Sequence, residues 1–102
     1  MPLAFASQLP QLHALCSRVG VSKLGLFGSA TSERFEPTRS DLDFLVEFRD
    51  MPPAIYADAY FKLKEGLEAL FARPVDLLTP SALRNPYLRK QVEGELQPVY
   101  AG

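Results

Sequence analysis

Two aspartates separated by one leucine, Asp41 and Asp43, open the most regular apolar alternation in the sequence. On a strand, side chains two apart point to the same face, so these carboxylates are expected side by side, roughly 6–7 Å apart by strand rise. Leu42, Phe44, Val46 and Phe48 take the opposite face and supply core. Two carboxylates held together on an exposed face repel each other unless a cation or a proton compensates them. Hard oxygen donors of this kind suit Mg2+, which keeps several waters and binds through one or two carboxylates plus substrate phosphates. Upstream, an apolar run over residues 24–27 ends in Gly28-Ser29. Glycine permits close backbone approach, and a helix starting at the serine would offer free N–H groups to an anion. Phosphate at Gly28 and Ser29, with metal at Asp41 and Asp43, makes a coherent site for a polyphosphate.

Asp76 adds a third carboxylate. It lies between Val75 and Leu77, so it points away from the core face of its own short strand. If that strand neighbours the first pair, three acids converge. Such a cluster could hold two metal ions and activate an acceptor hydroxyl for in-line attack on phosphorus. Each piece alone has a plainer reading: Gly-Ser is common in turns, and Asp76 could be a solvated strand residue. The joint pattern is what points to chemistry.

The elements that must position these residues can be read in chain order. Residues 5–19 carry Leu9, Leu12, Leu15, Cys16 and Val19 at helical spacing, with Pro10 suited to the first turn and Gly20 to the stop. His13, the only histidine, reads as an exposed helix residue, since nothing pairs with it at metal-ligand spacing. Residues 23–27 and 41–48 read as strands, with a polar loop between them in which Arg34 and Arg39 are solvated charges or phosphate contacts. Residues 54–72 predict a long helix, and residues 74–78 a third short strand. Thr79-Pro80-Ser81 offers a cap to a final helical region reaching about residue 93, interrupted at Asn85-Pro86; Val99-Tyr100 then ends the ordered chain. Tyr56, Tyr60 and Phe61 read as helix packing, Lys62 and Lys64 as a solvated face. The order suggests an α/β or α+β fold, a small sheet covered on one face by helices and acidic and open on the other.

With 102 residues the chain predicts one small domain over residues 1–102. A net charge of −1 gives no electrostatic argument for nucleic-acid binding. The single cysteine excludes an internal disulfide or a multi-cysteine metal site. No apolar run is long enough to span a bilayer, and the start lacks the pattern of a signal peptide, so a cytoplasmic protein is expected.

Gly28-Ser29 followed by Ser40-Asp41-Leu42-Asp43-Phe44-Leu45-Val46 resembles the signature of the polymerase-β-type nucleotidyltransferase superfamily. The short chain and the tail Asn85-Pro86-Tyr87-Leu88-Arg89 … Val99-Tyr100 are similar to its minimal nucleotidyltransferases, the MntA-like antitoxins partnered with HEPN-domain toxins. The resemblance implies a small mixed sheet flanked by helices. It implies that Gly28 and Ser29 hold a triphosphate, that Asp41, Asp43 and Asp76 bind two Mg2+ ions, and that Asp76 acts as the base. It further implies AMP transfer from ATP to a tyrosine of a HEPN toxin, within a homo- or hetero-oligomer. Two alternatives stand beside it. One is an antitoxin that neutralises its toxin by binding alone, and the other is transfer to a small-molecule or RNA hydroxyl.

Overall fold

A computed structural model of the chain describes residues 3–28 and 41–102. The order is a 3-10 segment, Leu3–Gln8, then α1 (Leu9–Val19), β1 (Val21–Phe27), β2 (Leu42–Phe48), α2 (Pro53–Phe71), β3 (Val75–Leu78), a 3-10 turn (Pro80–Ala82), α3 (Pro86–Glu95) and β4 (Gln97–Ala101).

Helix α1 begins at Leu9, beside Pro10, as the proline's fitness for a first turn suggests. Pro10 lies in its first turn, where a missing N–H costs nothing, and the residues before it wind more tightly as 3-10. Gly20 closes it in the left-handed region at φ 85°, returning its N–H to Cys16 O. Helix α2 buries Ala59, Leu63, Leu67 and Phe71, a four-residue repeat that forms one continuous stripe. His13 is exposed on α1, as expected, but its Nε2 also lies 2.8 Å from Val99 O, linking the helix to β4.

The strands form one mixed sheet in the order β3-β2-β1-β4. β1 is antiparallel to β2 and to β4, whereas β2 and β3 are parallel. Parallel neighbours need a crossover, and α2 supplies it. β4 was not expected as a strand: a five-residue segment carrying Pro98 gives a weak strand signal. It lies at the sheet edge, where a proline is tolerated.

One face of the sheet is closed by α1 and α2 over Leu24, Leu26, Leu42, Phe44, Val46, Val75 and Leu77. The other face is not wholly open, contrary to the alternation reading. There α3 and the turn before it bring Val92 and Leu83 onto Phe27, with Leu45, Leu78 and Leu96 packed around them. A second, smaller core therefore lies on the same face as the odd-numbered acids of β2.

Candidate active site

The parallel register of β2 and β3 sets the site. Leu42 lies opposite Val75, Asp43 opposite Asp76, and Phe44 opposite Leu77. Leu42, Val75, Phe44 and Leu77 are buried, so any slip that separated the two aspartates would also push four core side chains to the wrong face. The Leu42 amide donates to Pro74 O at 3.1 Å and fixes the start of the pairing. Two residues far apart in sequence, Asp43 and Asp76, are thereby held as direct cross-strand neighbours.

Asp43 carries the electrostatic cost of this arrangement. Its carboxyl is pushed up from 3.8 to about 6. Burial contributes most, followed by the charge of Asp76 and the hydrogen bond to it, and then by the charges of Asp41 and Glu95. Asp41 stands immediately before β2 and is exposed, so the strand starts one residue later than the alternation suggests. It acts on Asp43 as a neighbouring negative charge at the mouth of the site.

Gly28 follows β1, whose last residue, Phe27, pairs with Asp43. Its φ of 77° lies in the left-handed region, and a Cβ there would run into Asp43 Oδ2. Only glycine lets the chain turn this close to the carboxylate. Ser29, with Arg34 and Arg39 beyond it, lies outside the described residues.

The residue that sequence reasoning missed is Glu95. Its Oε2 accepts from the Gly28 amide at 3.0 Å, and its charge reaches Asp43. Glu95 ends α3, and a carboxylate at a helix C-terminus is electrostatically disfavoured. That mismatch is the one trace it leaves in the sequence. Nothing local connects it to a glycine 67 residues earlier.

The donors here are carboxylate oxygens, and Asp43 is already strained by like charge. Both facts fit a hard divalent cation completed by water and phosphate oxygens. Among the described residues, no three acidic, histidine or cysteine side chains are gathered closely enough to hold a metal ion by themselves. Among the described residues, the sheet register brings the Asp43–Asp76 pair together for such a site, with Asp41 next to it before β2.

Comparison with known proteins bears on this arrangement. The nucleotidyltransferase domain family matches residues 11–99. A Methanocaldococcus jannaschii protein bearing the provisional name protein adenylyltransferase is 38% identical over 77 residues, covering 74% of each chain. A solved structure provisionally described as a minimal nucleotidyltransferase superposes with a TM-score of 0.73 at 30% identity, over 93% of this chain and 92% of that one. The fold is shared as well with a chain from a complex of a tri-AMPylated Shewanella oneidensis HEPN toxin with its MNT antitoxin. The TM-score there is 0.61 at 19% identity, over 94% of this chain and 71% of that one. The family match spans both the glycine turn and the paired aspartates, and on that match this chain belongs to the nucleotidyltransferase domain family.

Proposed function

We propose that the protein acts as a single minimal nucleotidyltransferase domain that moves AMP from ATP to a tyrosine of a HEPN-domain partner, and so serves as an antitoxin. The observation that carries the reading is the Asp43–Asp76 pair, set in register beside the Gly28 turn. The protein-adenylyltransferase name of the archaeal relative supports a protein acceptor, and the AMPylated HEPN toxin in a complex of the same fold supports the partner class.

In this reading Gly28 and Ser29 seat the triphosphate, and Asp41, Asp43 and Asp76 hold Mg2+. The metal, when bound, offsets the charge gathered between carboxylates and phosphates. Asp76 takes the proton from the tyrosine hydroxyl. The phenolic oxygen bonds to the α-phosphorus, the bond from that phosphorus to the α–β bridging oxygen breaks, and pyrophosphate leaves with the electron pair. Asp41 and Asp43 orient the triphosphate so that attack and departure are in line. The chain contributes no acceptor of its own to this scheme, and the partner supplies it. We place the reaction in the cytoplasm, where ATP is at hand.

Incubation of the protein with labelled ATP, Mg2+ and its HEPN partner should label a partner tyrosine. The double variant Asp41→Asn, Asp43→Asn should lose that transfer while still forming the complex. Label transfer that survives in the double variant would sink the proposed site. An unmodified partner beside a labelled RNA or small molecule would replace the proposed acceptor.

A further inference from the structure

The Gly28 amide is the backbone donor that the proposed function gives to the triphosphate, and in this structure it donates to a carboxylate, Glu95. Among the described residues, the rest of Glu95's placement is electrostatically poor. It stands at the negative end of α3, and it faces an acidic group in which Asp76 and Asp41 already act on Asp43. A carboxylate placed so, with its oxygen on a glycine amide, takes the position and the charge of a phosphate oxygen. The glycine holds φ 77° beside Asp43, where a Cβ would meet Asp43 Oδ2, so no side chain stands between its amide and an anion. Helix α3 is likewise held in place by Val92, packed on Phe27 at the end of β1.

We infer that Glu95 is a built-in competitor for the phosphate position: its carboxylate must leave the Gly28 amide before the triphosphate can dock there. The inference rests on the nucleotide reading of the site and adds a control to it. A triphosphate and Glu95 cannot share one N–H at hydrogen-bond distance, because two anions at that spacing repel strongly in a partly desolvated site. The competition acts on phosphate alone. Adenosine, which carries none, does not meet it.

Titration calorimetry with ATP and with adenosine separates the possibilities. Glu95→Gln keeps size and an acceptor but removes the charge; Glu95→Ala removes both. Each variant should bind ATP more tightly than the unaltered protein, by about tenfold for the alanine and less for the glutamine, as expected for relief of one close charge contact. Adenosine affinity should not change. ATP affinity that stays equal or falls in both variants, with the unaltered protein binding ATP, overturns the competitor and leaves the nucleotide site standing. If ATP binds to none of the three proteins, the nucleotide reading fails and the competitor fails with it. A folding defect is not expected to obscure the result for Glu95→Gln, which keeps an acceptor for the Gly28 amide while removing a negative charge from a helix C-terminus, a change that is neutral or favourable there.

Discussion

The pressure on Asp43 makes a measurable trade between stability and chemistry. Its folded-state value of about 6 lies above the ordinary 3.8, because burial and the Asp76 charge both disfavour ionisation. Between those two values the folded protein binds more protons than the unfolded chain. Stability therefore falls as pH rises through that window, and the whole cost is present above pH about 6. Solvent screening at this partly exposed group reduces the cost to about 1 kcal/mol. Asp43→Asn removes the charge while keeping a group able to bond Asp76. In metal-free buffer at pH about 7.5 it should melt higher than the unaltered protein, by about 5 °C for a domain of this size. Below pH about 4 the advantage should vanish. The same variant should be among the weakest in AMP transfer. A melting temperature that drops at neutral pH would mean that Asp43 is a structural hydrogen-bond partner rather than a strained functional one.

At the scale of elements, two glycines in helices separate propensity from packing. Gly66 sits in α2, where a Cβ would come 2.7 Å from Leu15 Cδ2 and 2.8 Å from Leu15 Cδ1. Gly94 sits in α3 with nothing within 4 Å of such a Cβ. Alanine favours an exposed helix interior over glycine by up to about 1 kcal/mol. At Gly94, in the last turn of its helix, Gly94→Ala should stabilise by about half that. At Gly66 the overlap falls on a buried leucine, and overpacking costs about 1–3 kcal/mol, so Gly66→Ala should be net destabilising despite its better propensity. Urea melts of both variants test the opposite signs; a shared sign would mean that α1 and α2 give way easily at their crossing.

The same elements show what could be read without coordinates. Helix α2 and strand β2 were legible because burial repeats along them, at four residues in one and two in the other. Asp43 and Asp76 were legible as functional candidates, and so was Gly28. Their adjacency was not, because it depends on α2 returning β3 parallel to β2. β4 was hidden by Pro98, and the second core was hidden because Phe27, Leu45 and Val92 lie in three different elements. Glu95 could not be placed at all. Its partner is chosen by how α3 docks on the sheet, which no local pattern encodes.

The molecule as a whole divides its stability and its chemistry between the two faces of one sheet. The larger core, under α1 and α2, contains Phe44, Leu63 and Leu67 with no exposed surface. The smaller, under α3, centres on Phe27, Leu83 and Val92, and it holds Glu95 against the Gly28 turn. Substitutions of similar kind should then have different consequences. Leu63→Ala opens a cavity in the main core and should lower global stability by about 2–5 kcal/mol. Assayed well below its melting temperature, it should keep most of its nucleotidyl-transfer rate, since Leu63 lies in the larger core, on the opposite face of the sheet from Asp43. Val92→Ala removes less apolar volume, about 2 kcal/mol of burial, from a cluster next to the site. It should change kcat and the KM for ATP more than Leu63→Ala does while costing less stability. Its α3 amides should also exchange faster than those of α2, because α3 has few other buried anchors. Parallel melts, hydrogen exchange and steady-state transfer assays on the two variants would show the division. If activity follows global stability in both, the small core is an extension of the large one, and the site is supported by the whole sheet rather than by the docking of α3.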